Sequence, residues 1–138
     1  MAQIARFFDG PEYGSQDFAE FFSNFLDTGY FDGLEVVATN SMNVILKPGS
    51  AFIEGYEYKN TSDLTLTVPS ASPTQNRYDR IVIRLNRAPD TSDPITALVR
   101  TGTSSGPPSL IRNEVIYEIS VAEIFVQAGK SFIEQSQI

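Results

Sequence analysis

From Leu34 onward the chain alternates apolar and polar residues in short runs, each stopped by Gly, Pro, Asn or Asp within about ten residues. A period of two sends successive side chains to opposite faces of a strand, and frequent turn signals make neighbouring strands fold back on each other. Leu34 to Thr39 and Met42 to Lys47 flank Asn40-Ser41 as a hairpin. Met42, Val44 and Leu46 form its buried face, and Pro48-Gly49 ends it. Ala51 to Lys59 is expected as one strand, with Gly55 marking a bulge or a close backbone approach. Leu64 to Val68 comes next, stopped by Pro69. Tyr78 to Arg87 and Ile95 to Thr101 make a second hairpin around an Asp-rich loop, and Gly102 to Ser109 is a loop. Val115, Tyr117, Ile119 and Val121 alternate, after which Ile124 and Val126 change parity, the signature of a bulge or a break. The expected fold is mainly β: a β-sandwich of short antiparallel strands between about residues 34 and 127.

The start of the chain is patterned differently. Ser15 suits a helix N-cap, Asp17 a first turn and Gly29 a C-terminal stop. Phe18, Phe21, Phe22 and Phe25 recur at the spacing of one helical stripe. The spacing predicts one N-terminal α-helix over about residues 15–28, packed on the sheet by that stripe. A fully buried Phe21 or Phe22 would cost about 3–5 kcal/mol on truncation to Ala.

The 138 residues, 41% of them hydrophobic, suit a single domain over residues 1–138. The absence of Cys leaves stability to packing. Met1 to Phe8 carry neither the basic start nor the apolar run of a signal peptide, and no run is long enough to span a membrane. Synthesis in the cytoplasm without membrane insertion is expected. A net charge of −7 argues against a nucleic-acid partner, because phosphate backbones are bound through clustered Lys and Arg. The charge is uneven: residues 1–57 carry nine acidic against two basic groups, residues 58–112 four against seven, and residues 113–138 four against one.

With no His, the usual general base and the commonest metal ligand are missing. Paired carboxylates are the remaining catalytic option. Glu54 and Glu57 would lie on opposite faces of a regular strand. Asp79 shares strand parity with Ile81, Ile83 and Leu85 and, beside Glu118, is the more interesting candidate; pairing with an Arg or capping a turn is its expected role. Asp90 to Asp93, between Pro89 and Pro94, gathers oxygen groups but lacks the Gly and bidentate Glu of a calcium loop. Arg77, Arg80, Arg84 and Arg87 have helical spacing, yet on a strand Arg80 and Arg84 share a face with Val82 while Arg77 and Arg87 point the other way. No catalytic, metal or cofactor site is expected. Tyr56 and Tyr58 share a face, as core or interface residues or, alternatively, as a platform for a sugar ring.

One succession of residues spans nearly the whole chain: Phe8-Asp9, Glu12-Tyr13, Asp17-Phe18, Gly33-Leu34, Met42 with Val44, Pro48-Gly49, Ala51-Phe52-Ile53, Gly55-Tyr56, Tyr58, the run Tyr78 to Leu85, Tyr117-Glu118-Ile119, Ala122 and Ile124. It resembles a family of bacteriophage tail and baseplate proteins of Gram-positive hosts, and in pattern the N-terminal shoulder domain of lactococcal phage receptor-binding proteins. The resemblance implies a shoulder-like β-sandwich with an N-terminal helix, acting as a structural or attachment module whose partners are other tail or baseplate proteins. It also implies incorporation in the virion tail. Arg6, Phe7 and Phe8 are the candidate docking segment. Longer relatives carry neck and head segments beyond the region corresponding to Ile138, so receptor binding is not carried over and a mainly monomeric isolated chain is expected. A carbohydrate- or receptor-binding module is the alternative function, and a cell-wall glycan hydrolase the remote one.

Overall fold

The computed structural model describes residues 3–138. Within them helix α1 spans Ser15–Phe22, followed by strands β1 Gly29–Gly33, β2 Val36–Ala38, β3 Asn43–Leu46, β4 Gly49–Ile53, β5 Tyr56–Asn60, β6 Leu64–Thr67, β7 Arg77–Asn86, β8 Ile95–Arg100 and β9 Ile116–Val126. They form three antiparallel sheets of three strands, ordered β1-β4-β5, β2-β3-β6 and β8-β7-β9. The mainly β fold with one N-terminal helix therefore follows the sequence pattern.

The first two sheets are halves of one bent ribbon. Gly33 faces Gly49 and Val36 faces Leu46 in the same register, bridged across the bend by the Leu34 amide donating to the Pro48 carbonyl at 3.2 Å and the Lys47 amide to the Glu35 carbonyl at 2.9 Å. The backbones of the two strands touch at Gly49. A Cβ at this position would run into the Asp32 carbonyl oxygen and the Leu34 amide nitrogen. The ribbon packs on the β8-β7-β9 sheet. Val44, Leu46, Ala51, Ile53 and Tyr58 meet Ile81, Ile83, Leu85, Ile119, Ile124 and Val126 in one core, the alternation read from the sequence. The parity change in β9 is a bulge: Ile81 pairs with Ala122 and Val82 with Ser120, leaving Val121 unopposed so that Ile119 and Ile124 both reach the core.

The C-terminal segment belongs to the fold although no strand was expected there. Ile133 is buried in the core. The Gln135 side chain accepts from the Ala38 amide at 2.8 Å and donates to the Val36 carbonyl at 3.1 Å, satisfying the edge of β2 as a neighbouring strand would.

Several expectations are corrected. Ala51 to Lys59 is not one interrupted strand but β4 and β5, joined by a two-residue turn in which Glu54 (φ 51°) and Gly55 (φ 84°) both take positive φ, as a type I′ hairpin requires. The helix ends at Phe22 rather than near residue 28, and its N-cap is Gly14, not Ser15; the Gly14 amide donates to Asp17 Oδ2 at 2.9 Å. Gly29 opens β1 instead of stopping the helix. Nor does the Phe stripe face the sheet. The helix residue that is buried is Ala19, 4% exposed, whose carbonyl lies against Gly55 so closely that a Cβ there would clash with it. Aromatic rings on that face would lift the helix off the turn, so the stripe points elsewhere, with Phe22 44% and Phe25 71% exposed.

This docking predicts the ranking of two substitutions. Gly55→Ala, at a left-handed position and against the Ala19 carbonyl, should cost about 2 kcal/mol or more, whereas Phe22→Ala should cost less than about 1 kcal/mol. Urea denaturation of both variants checks this, and the reverse order would mean that the stripe holds the helix in place.

Candidate functional site

The chain preceding the helix lies along it. Arg6 pairs with Asp17 at 3.4 Å and also with Glu20, and the Phe8 amide donates to the Tyr13 hydroxyl at 2.9 Å. Between these anchors Phe7 adopts φ 68°, a left-handed conformation that costs energy for a residue with a side chain and is held by its surroundings. Its ring meets Tyr13 and Phe18 at centroid distances of 5.3 Å and Phe21 edge-on at 4.8 Å. Phe21 in turn touches Phe22 at 5.6 Å and Phe25 at 5.3 Å. Six rings thus make one continuous surface, in which Phe7, Phe18, Phe22 and Phe25 remain exposed; Phe8, alongside, is also exposed. Arg6, Phe7 and Phe8 were legible as a candidate from the sequence. The helical rings that extend the surface were assigned to the core, because periodicity shows that residues share a face but not which way the face points.

The carboxylate candidates Asp79 and Glu118 are both fully buried, on opposite faces of the same sheet. Asp79 lies on the core face with Ile81 and Ile83, while Glu118 sits opposite Arg84 on the other face. Their positions along β7 are five residues apart, roughly 17 Å at strand spacing, so they do not form a catalytic pair. Asp79 accepts two hydrogen bonds from Arg77, at 2.7 and 2.9 Å, and a third from the Gly102 amide at 3.1 Å. Arg77 also donates to the Ser70 and Pro69 carbonyls, tying that loop to β7. Glu118 is held by Arg84 at 2.7 Å, Arg100 at 2.7 Å and the Ile111 amide at 2.9 Å. Both charges are paired and hydrogen-bonded, which is what makes a buried carboxylate tolerable. The pairing expected of Asp79 is present, and within β7 Arg77 lies on one face and Arg80 and Arg84 on the other as a strand dictates, while Arg87 falls just past the strand's end.

Tyr58 is buried in the core, where burial pushes its phenol above the usual tyrosine range. Tyr56 packs beside it against the same core. The two share a face as expected; Tyr58 is buried, while Tyr56 is partly buried and also lines a groove. Glu54 and Glu57 line one groove of about 860 Å³ between α1, the β4–β5 turn and the β7–β8 loop. The sequence placed them on opposite faces; the turn at Glu54 brings them to the same groove. Glu57 is solvated on its exposed strand position, unlike the desolvated acid that carboxylate catalysis uses. The Asp90 to Asp93 loop makes local bonds, the Asp93 amide donating to the Thr91 hydroxyl at 3.3 Å. Among the described residues no group of three His, Cys, Asp or Glu side chains is placed to hold a metal, and no helix is long and apolar enough to cross a membrane.

Two predictions follow from the buried polar groups. Glu118→Ala should cost about 3 kcal/mol, the low end for breaking a buried pair because both guanidinium groups keep partial contact with water, and should speed hydrogen exchange at the Ile111 amide; unchanged exchange would show that the loop is held by other contacts. Burial also raises the Tyr30 phenol. The folded chain therefore keeps phenolic protons that the unfolded chain releases above about pH 10, and stability should fall there as pH rises. Melts of Tyr58→Phe against the parent across that range should show a shallower alkaline decline. Compared with known proteins, the chain matches no family model, no curated protein and no solved structure.

Proposed function

We propose that this chain is a non-enzymatic attachment module of a bacteriophage tail or baseplate, which docks on other tail proteins through the surface begun by Arg6, Phe7 and Phe8. The observation that carries the proposal is the continuous aromatic face on the arm and helix. Soluble proteins rarely leave contiguous apolar surface open unless it meets a partner, and aromatic side chains dominate the energetics of protein interfaces. The phage context comes from the succession of residues that resembles tail and baseplate proteins. Carbohydrate binding through Tyr56 and Tyr58 is less favoured because the Tyr58 ring is buried. Carboxylate catalysis is less favoured because Asp79 and Glu118 are neutralised on opposite faces.

Immunogold labelling of virions from the producing strain, with antibodies to this chain, should place gold at the tail tip; unlabelled particles would overturn the proposal. The isolated chain is expected to be a monomer, with light scattering at micromolar concentration giving a mass near 15.2 kDa. A trimer mass that does not change with concentration would mean that the domain assembles unaided.

A further inference from the structure

The aromatic face has an acidic border. Asp9 and Glu12 lie on the arm between Phe8 and Tyr13, and Asp27 follows Phe25 by two residues, all of them exposed. The basic group present here, Arg6, is already paired with Asp17 and Glu20. A partner that covers the rings must therefore bring positive charge to the rim or leave these carboxylates facing an unfavourable surface.

A second copy of this chain does not meet that requirement. It would place one acidic rim against another.

We infer that the face takes a heterologous protein surface with an apolar centre and a Lys- or Arg-rich rim. The inference rests on the attachment function only in treating the face as a docking surface. The rings supply the desolvated centre and fix the register, while the carboxylates steer approach and reject acidic surfaces.

The test uses two fluorescent amphipathic helical peptides, one of Leu and Lys and the other of Leu and Glu with the same apolar face. The Leu/Lys peptide should bind, weakening several-fold from low to high salt, and the Leu/Glu peptide should not. Phe22→Ser/Phe25→Ser alters exposed rings and should fold, as a thermal melt checks, while weakening Leu/Lys binding about tenfold, as loss of interface aromatics does. Asp9→Asn/Glu12→Gln should reduce both the affinity and its salt dependence. Equal binding of the two peptides, no binding of either, or full binding by the folded Phe22→Ser/Phe25→Ser variant would overturn the inference. So would self-association of the parent that the same serines abolish. Peptide binding as expected together with unlabelled virions would sink the phage assignment and leave the basic-partner inference standing.

Discussion

Residue 49 has no room for a side chain, because the backbones of Asp32, Gly33 and Leu34 close over it. That contact sits where one half of the ribbon passes into the other, between Val44 and Leu46 on one side and Ala51 and Ile53 on the other, all of which reach the same core. Beyond it, Gly55 in the β4–β5 turn lets the Ala19 backbone approach closely. A helix seated on a small residue has no space for rings on its seated face. The exposed aromatic surface is thus a consequence of the close approach, and the arm covers part of it by folding Phe7 onto Phe18 and Phe21.

The buried charges play a different part. Asp79 and Glu118 add little to stability in net terms, since desolvation offsets most of what their pairing contributes. Their value is geometric. Each fixes backbone outside the nine strands: Asp79, directly and through Arg77, holds Gly102 and the Pro69-Ser70 segment, and Glu118 holds Ile111. The long loop after β8 is thereby held to the face of the sheet that the main core leaves uncovered, where Val82 is also buried.

How far the sequence reached differs from element to element. Alternation in Met42 to Leu46 and Tyr78 to Leu85 was enough to identify strands and their inward faces, because a period of two is a local property that packing reinforces. The change of parity after Val121 was equally local, and it located the bulge. Gly55 was recognised as special, but a single Gly cannot say whether the strand bulges or reverses. That choice was made by the pairing of Ile53 with Tyr56 and by the helix above the turn. In the candidate site, Arg6, Phe7 and Phe8 were readable as an aromatic, cationic segment; the partners that hold them, Tyr13, Asp17 and Glu20, were not.

The sequence by itself determined the class of fold, the strand faces, the absence of His and Cys chemistry, and the fact that four phenylalanines share a side of one helix. Those properties follow from residue identity and short-range periodicity. Only the tertiary structure decided that the shared side faces outward, that Asp79 and Glu118 lie on opposite faces of a sheet, that Glu54 and Glu57 meet at one groove, and that Ile133 and Gln135 complete the core and the β2 edge. Each of these depends on which backbone approaches which, and that is set by the space left at Gly49, Gly55 and Ala19 between segments distant in the chain, which a local pattern does not encode.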